Sequence, residues 1–404
     1  MYIRYKQEGT WLENSYLISK VSEIEDWVIS IRRDFHQFPE LGMEEYRTRD
    51  RIVEYLIEMD IDHYIVANTG VVGIIRGRES GKTVALRADI DALPIDDKKE
   101  VPYRSRIEGK MHACGHDAHT AILLGVARIL KDMEEDIKGN VKLLFQPAEE
   151  TVGGALPMIE GGVLENPYVD GVFGLHVDNS LKTGQIGIKY GQMKAASDMI
   201  KIIIHGKNSH GAYPQNGIDA ISIAGQVIVA LQTIVSRNVD PRSSAVVTLG
   251  TIEGGYARNI IADKVEMAGI VRTLDENARD LVIHKVKTIV EDIPKAMGGH
   301  GELIRTESYT ALLNDDSMVD IVKKNGVKLL GMENVYEMPY PSYGVEDFAY
   351  FTEERPAVFF HLGSGNEQKG IIHSGHTPYF DIDEECLSRG ILLQVANVLE
   401  FLDD

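Results

Sequence analysis

The chain has 404 residues, of which 44% are hydrophobic and 26% are charged. This composition excludes the disordered and fibrous classes, and the length predicts two domains. Acidic residues outnumber basic residues by 62 to 42, for a formal net charge of -20. That balance argues against a nucleic-acid partner, because binding a polyanion requires basic surface.

No sequence feature indicates export or membrane anchoring. The first 20 residues contain no apolar core behind a basic stretch, and no run approaches the ~18 apolar residues of a membrane span. The two cysteines, Cys114 and Cys386, are too far apart to indicate a disulfide framework. We therefore expect a cytoplasmic protein without a membrane partner.

Strand and helix patterns alternate in the first half of the chain. Helices are predicted over residues 21–36 and 119–138, and strands at the segments VVGIIRG, TVALRADI and VKLLFQP. This alternation is typical of an α/β sheet that is covered by helices.

From about Met193 the pattern becomes that of a compact α+β unit. It predicts the strands MIKIIIHG, SAVVTLGTIEGG, KVEMAGIVRTL and ELIRTESYT, with helices over residues 219–236 and 276–292. After Ala311 the alternation resumes, with helices near residues 316–330, 346–353 and 384–401 and the strand AVFFHLG. We therefore predict an α/β domain that is interrupted by an inserted α+β domain of four strands and two helices.

The segment MHACGHDAHT is the densest cluster of metal-ligating residue types. It holds His112, Cys114, His116 and His119 within eight residues. Thiolate and imidazole groups are standard ligands of zinc-class metals. The alternative is a loop with solvated histidines in which Asp117 caps a helix.

Further candidate ligands follow three predicted strands. LRADID ends in Asp89 and Asp91, LLFQPAEE ends in Glu149 and Glu150, and VFGLHVD contains His176. Side chains beyond the carboxyl ends of such strands converge in space. One glutamate of the pair could bind a metal while its neighbour accepts a proton from water, although two surface glutamates would fit the same motif.

In chain order, these segments and several others resemble the M20 metallopeptidase superfamily, specifically its aminoacylase, hippurate-hydrolase and auxin-conjugate-hydrolase branch. The resemblance runs from about residue 28 to 385 through RRDFHQFPELGMEE, ALRADIDALPI, GKMHACGHDAHTA, FQPAEE, GLHV, GKNSHGAYP, GVEDF and HTPYFDID. It implies a catalytic domain of residues 1–192 and 312–404, with a mixed sheet flanked by helices, and a lid and dimerisation domain of residues 193–311.

The resemblance also implies a centre of two divalent metal ions, usually Mn, Zn, Co or Ni. The residues that match the family's ligands are Cys114, His116, Glu150, His176 and His376. His373 lacks the H-x-P-x-F context of His376, so it is the second candidate for this ligand position, and the favoured interpretation of it is a surface-loop residue. Glu149 matches the family's general base and acid, and Asp91 matches an aspartate that orients a metal-binding group.

Three other positions carry weaker implications. In other branches a histidine ligand stands at the position of Asp89, which leaves Asp89 open between supporting the site and a purely structural role. His210 matches a lid histidine that stabilises the oxyanion, often from the partner subunit, although a loop histidine can also be solvated or structural. Asn259 matches a residue that holds the substrate, and the family implies a homodimer or tetramer through the inserted domain.

The predicted function is hydrolysis of N-acyl amino acids or related small amides by water that metal ions activate, with Glu149 carrying the proton. A dipeptidase or carboxypeptidase is the alternative, because the same centre cleaves any amide that it can position. A non-catalytic protein that binds a peptide or a metal is a further alternative. A zinc nucleoside deaminase is disfavoured, because the H-x-E…P-C-x-x-C pattern is missing.

Overall fold

The computed structural model describes residues 14–403. The prediction that the first 20 residues carry no export signal therefore falls in part outside the described residues. The described residues form the helices α1 (Asn14–Gln37), α2 (Tyr46–Glu58), α3 (His116–Asp132), α4 (Ala155–Glu160), α5 (Ala220–Thr233), α6 (Glu276–Ala296), α7 (Asp316–Leu330), α8 (Ala349–Glu354) and α9 (Glu385–Asp403). They form the strands β1 (Asp62–Val66), β2 (Gly70–Arg76), β3 (Glu79–Asp89), β4 (Lys138–Gln146), β5 (Gly171–Lys182), β6 (Ile186–Ile188), β7 (Gly191–Lys194), β8 (Ala196–His205), β9 (Ser209–His210), β10 (Ala245–Gly254), β11 (Ile260–Ile261), β12 (Lys264–Thr273), β13 (His300–Glu307), β14 (Leu312–Asn314), β15 (Val335–Glu337) and β16 (Ala357–Gly365).

Two compact units make up this part of the chain. The first contains the described residues up to Gly191, Leu313–Pro339, and the described residues from Tyr350 onward. The second contains Gln192–Leu312 and Tyr340–Ala349. The role of the inserted residues as a lid and dimerisation domain stays a prediction.

The first unit is built on a mixed eight-stranded sheet in the order β1-β2-β4-β3-β5-β16-β6-β15. Strand β3 lies parallel to both β4 and β5, and β16 lies parallel to β5, whereas β1, β2 and β4 pair antiparallel. The central strands are buried on both faces, which explains their nearly continuous apolar sequences. The predicted fold class is confirmed.

Helices α1, α3 and α9 contact one another and bury their apolar faces in the core of this unit. A Cβ atom on Gly125 of α3 would lie 2.4 Å from Ile391 Cδ1, so α3 and α9 approach closely because this residue has no side chain. Helix α3 begins at His116, three residues before the predicted start. The preceding Gly115 has φ +91°, a left-handed conformation that glycine adopts without strain and that starts the helix there.

The second unit has an antiparallel four-stranded sheet in the order β10-β12-β8-β13, packed against α5 and α6. Among the described residues, Ala220–Asn238 is the one helical segment long and apolar enough to cross a membrane by length and composition. Its residues Ile223, Val227 and Leu231 are buried in the core of this unit. The core helix of a globular unit meets the same criterion, so the segment is weak support for a membrane span.

Lys142 is a fully buried cation on β4, and it gives a test of the first unit's stability. Its Nζ donates hydrogen bonds to the carbonyl oxygens of Val163 and Glu165 at 2.8 and 2.6 Å. Burial lowers the pKa of Lys142 from 10.5 to about 8, so between these values the unfolded chain binds more protons than the folded chain. The contribution of Lys142 to the free energy of unfolding is therefore complete above about pH 10.5, and it is lost as the pH falls through about 8.

The test compares the free energy of unfolding of the parent with that of Lys142→Met at each pH. We expect the parent value minus the variant value to rise by up to about 3 kcal/mol between about pH 7.5 and about pH 10.5. Urea unfolding of both proteins across this range measures the difference. Because the subtraction cancels the titration of all other groups, a difference that stays flat or falls with pH would contradict the prediction.

Candidate metal centre

The predicted ligands of the first unit converge near the carboxyl ends of β3 and β4 and around His176, which lies within β5 and not after it as the sequence predicted. Three groups each bring their ligand atoms within 4.8 Å of one another. These groups are Cys114, His116 and His176; Cys114, Glu150 and His376; and His116, Glu149 and Glu150. The groups share members, so together they form one continuous set of sulfur, nitrogen and oxygen donors.

This donor set fits divalent transition metals. His116 donates from Nδ1 to Asp91, at 3.1 Å, and its buried Nε2 has no hydrogen-bond partner among the described residues. His176 donates from Nδ1 to the carbonyl of Val177, at 2.7 Å, and its Nε2 lies 3.3 Å from Cys114 Sγ. Both imidazoles thus turn Nε2 toward the centre while Nδ1 is fixed, as in metal-binding histidines.

The charge distribution also suits a cation. Burial alone would lower the pKa of His116, but the carboxylates of Asp89 and Asp91 outweigh it and raise this pKa well above its ordinary value. Burial raises the pKa of the Cys114 thiol, so this sulfur needs a neighbouring cation to become a thiolate ligand. The site therefore attracts positive charge, which either protons or metal ions can supply.

Asp91 connects two of the predicted ligands. One carboxylate oxygen accepts from His116 Nδ1, and the other accepts from the backbone N–H of Glu150 at 2.9 Å. Asp91 is 1% exposed. These contacts are what an orienting carboxylate requires.

The contacts of Asp89 favour a supporting role. Its side chain accepts from Arg87 at 2.6 Å and from Nδ1 of His119 at 2.5 Å. His119 Nε2 in turn accepts from the backbone N–H of Val177 at 2.9 Å, which assigns the ring proton to Nδ1. Both nitrogens of His119 are therefore occupied, although His119, Asp89 and His116 lie within metal-ligating distance of one another.

His376 lies in a loop that several hydrogen bonds fix. It has φ +61°, which is uncommon for a residue with a side chain, and its backbone N–H donates to Ala113 at 2.8 Å. Its Nε2 lies 3.1 Å from Glu150 Oε1. Asn179, which the sequence did not single out, donates to the carbonyls of His373 and Asp381 at 2.7 and 2.8 Å and so holds both ends of this loop.

Arg32 is another buried residue that no sequence motif marked as important for the site. Its guanidinium donates to Asp117 at 2.8 Å, to Asp381 at 2.9 Å and to Glu384 at 3.3 Å. Asp117 follows the predicted ligand His116, and Asp381 ends the loop of His376. One side chain thus connects the segments of two predicted ligands.

Two histidines of the predicted region lie outside these ligand groups. His112 is 1% exposed, neither of its ring nitrogens has a hydrogen-bond partner among the described residues, and burial lowers its pKa to about 3. The His373 ring lies against Tyr379, with 5.5 Å between ring centroids, and its side chain is exposed. Cys386 is buried and unpaired in α9.

In the second unit, the structure brings His210 and Asn259 together. Strands β9 and β11 pair His210 with Ile260, and the backbone N–H of Gly211 donates to the carbonyl of Asn259 at 2.8 Å. His210 Nδ1 accepts from the backbone N–H of Ala212 at 3.0 Å, which places the ring proton on Nε2. The exposed His210 ring can therefore act as a hydrogen-bond donor.

This chain is similar to a family of peptidases and to several individual hydrolases. The model of Peptidase family M20/M25/M40 matches residues 85–399. Thermostable carboxypeptidase 1 of Saccharolobus solfataricus is 40% identical over 95% of this chain and 98% of its own length. N-acetyl-L-cysteine deacetylase of Bacillus subtilis is 41% identical over 95% of this chain and 90% of its own length.

A solved structure is similar over nearly the whole chain. The Bacillus subtilis YXEP protein, described as a dinuclear metal binding peptidase of the M20 family, has a TM-score of 0.82 and 34% sequence identity. The match covers 95% of this chain and 99% of that protein. Both the fold and the metal-binding character of this relative agree with the resemblance found in the sequence motifs.

Proposed function

The chain belongs to peptidase family M20/M25/M40 and is a hydrolase of amide bonds, and from this premise we propose that it cleaves N-acyl amino acids or related small amides. The observation that carries the proposal is the convergence of Cys114, His116, Glu150, His176 and His376 beside Glu149. A binding protein has no use for a carboxylate next to a metal-binding set, whereas a hydrolase needs one to move a proton.

We assign the five converging residues as ligands of two divalent ions, which Mn, Zn, Co or Ni could supply. When bound, the ions would lower the pKa of water and polarise the substrate carbonyl. Asp91 keeps the His116 ring and the backbone of Glu150 in place. Asp89 supports the site by holding His119 and Arg87.

In this proposal Glu149 takes the proton of the attacking water and passes it to the leaving nitrogen. The nitrogen must be protonated because an amide anion is a poor leaving group. His210, with its proton on Nε2, donates a hydrogen bond to the oxyanion that forms from the carbonyl, and Asn259 holds the substrate. We further propose a cytoplasmic homodimer or tetramer that assembles through the inserted residues and in which the lid histidine can act from the partner.

The relatives support two substrate classes, since one is named a deacetylase and another a carboxypeptidase. We favour N-acyl amino acids, because Cys114 together with the FQPAEE segment matches the acyl-amino-acid branch. A carboxypeptidase or dipeptidase is the second candidate. The identity of the acyl group and of the amino acid depends on pocket residues that no motif marks.

A kinetic panel tests the proposal. Metal-free protein is loaded with Mn, Zn, Co or Ni and assayed against hippurate, N-acetyl amino acids, free dipeptides and N-blocked peptides. We expect kcat/KM for the best N-acyl amino acid to exceed that for the best peptide by about 10-fold or more, a difference of about 1.4 kcal/mol in transition-state binding. Removal of the metal with a chelator should abolish turnover.

The Glu149→Gln protein, prepared in parallel, serves as the control for contaminating peptidases. A higher kcat/KM for peptides would establish the second candidate instead. No turnover on any substrate, with metal bound, would point to a binding protein.

A further inference from the structure

Glu45 is a buried carboxylate that lies immediately before α2 and contacts the segment that carries Glu149. It is 0% exposed. Its Oε1 accepts a hydrogen bond from the backbone N–H of Ala148 at 2.9 Å, and its Oε2 accepts one from the Thr69 hydroxyl at 2.6 Å. Glu45 therefore reaches across 103 residues of sequence to hold the residue before the proposed proton carrier.

The residue that Glu45 holds has an unfavourable backbone conformation. Ala148 has φ +56°, in the left-handed region that residues with a Cβ atom rarely adopt. Such a conformation persists only where surrounding contacts fix it. The segment before Glu45 also packs tightly here, because a Cβ atom on Gly42 would lie 3.0 Å from Ala148 Cα.

A second buried carboxylate fixes the other side of Glu149. The backbone N–H of Glu150 donates to Asp91 at 2.9 Å. The amides before and after Glu149 are thus both held by buried acidic side chains, Glu45 on one side and Asp91 on the other. The orientation of the Glu149 carboxylate depends on both contacts, because they set the backbone from which its side chain projects.

We propose that Glu45 is a positioning residue for the reaction, which holds Ala148 in its left-handed conformation and so directs the Glu149 carboxylate. The inference rests on the proposed role of Glu149. Glu45 itself exchanges no proton with substrate, because both of its oxygens already accept hydrogen bonds from Ala148 and Thr69. Its effect on turnover is therefore exerted through the backbone.

Two substitutions of similar size separate the hydrogen bond from the charge. Glu45→Gln keeps an oxygen that can accept from Ala148, whereas Glu45→Met removes the acceptor and is also uncharged. Burial raises the pKa of Glu45, because it disfavours the charged form of the carboxyl group. The matched control is Glu44→Met, since the neighbouring Glu44 side chain is 63% exposed and its ion pair, with Lys110 at 3.4 Å, lies on the surface.

We expect Glu45→Met to lower kcat by about 10–100-fold, the range seen when an outer hydrogen-bond partner of a metal site is lost. KM and the metal content per subunit should stay within about 3-fold of the parent, because no ligand is touched. Glu45→Gln and Glu44→Met should keep kcat within about 3-fold of the parent. Equal kcat for the Met and Gln variants at position 45 would overturn the inference.

A double-mutant cycle with Glu149→Gln provides a readout that a general loss of stability would not mimic. If Glu45 acts through Glu149, the two residues act as a unit. The double variant, with both Glu45→Met and Glu149→Gln, should then have a kcat within about 2-fold of that of Glu149→Gln alone. A further loss of 10-fold or more would show that Glu45 acts elsewhere and would overturn the inference.

The cycle also separates this inference from the proposed function. A fully metallated and active Glu149→Gln protein overturns the role of Glu149, and the inference with it. An inactive Glu149→Gln protein beside a fully active Glu45→Met protein overturns the positioning role alone.

If Glu45→Met does not fold, Thr69→Val decides in its place. This near-isosteric change removes the hydroxyl that orients Glu45 Oε2 and leaves the acceptor for Ala148 present. We expect a smaller loss of kcat, about 3–10-fold, with metal content unchanged. A kcat within about 2-fold of the parent would then overturn the inference.

Discussion

Replacing Glu149 with Gln is expected to lower kcat by about 10²–10⁴-fold while the protein keeps its metal ions. Gln has the same shape but cannot accept a proton from water or pass one to the leaving nitrogen. Glu149 is 8% exposed and lies within 4.8 Å of ligand atoms of His116 and Glu150, so it can reach water at the centre. Steady-state kinetics together with metal analysis of the same preparation measure both quantities.

The adjacent Glu150 provides the matched control. Because we assign it as a ligand, Glu150→Gln should lower metal content as well as activity, and His176→Ala should do the same. If Glu149→Gln loses metal to the same extent, the two glutamates do not have separate roles. Activity within a few-fold of the parent in fully metallated Glu149→Gln would exclude Glu149 as the proton carrier.

Replacing Arg32 with Met is expected to lower the free energy of unfolding of the first unit by about 3–5 kcal/mol, because it leaves a buried carboxylate without its cation. Burial alone would raise the pKa of Asp117, but Arg32 holds it well below its usual range together with His36. Asp117 and Arg32 are both 0% exposed at the side chain. Urea unfolding followed by tryptophan fluorescence measures the change, and Trp27 lies on the same helix as Arg32.

Arg33 on the same helix is the control for this prediction. Its side chain is 44% exposed and binds Glu384 but neither Asp117 nor Asp381, so Arg33→Met should cost less than about 1 kcal/mol. Arg32→Met should also weaken metal binding by about 10–100-fold, because Asp117 and Asp381 adjoin the segments of His116 and His376. Equal stability of Arg32→Met and Arg33→Met would refute the proposed role of Arg32 in connecting these segments. If Arg32→Met does not fold, Arg32→Lys should give an intermediate loss, since lysine keeps the charge without the forked geometry.

The architecture could be predicted from local patterns to a large extent. The alternation of strands and helices, followed by a segment with four strands and two helices, led to the fold class that the structure confirms. Helix α2 was not predicted, although its buried residues Thr48, Ile52, Tyr55 and Leu56 recur at helical spacing. Helix α3 starts earlier than predicted because a glycine conformation, which periodicity does not reveal, sets its first residue.

The sequence by itself determined the kinds of ligand, the family and the class of reaction, because motifs such as MHACGHDAHT and FQPAEE keep the reactive residues close along the chain. Only the tertiary structure decided which side chains support those residues. Arg32 meets Asp117 across 85 residues, and Glu45 meets Ala148 across 103. Likewise, His119 and His116 share one motif, but their hydrogen bonds differ: both His119 nitrogens are occupied, whereas His116 keeps Nε2 for the centre. Such roles depend on which distant groups each buried polar atom meets on folding, and no local spacing encodes that pairing.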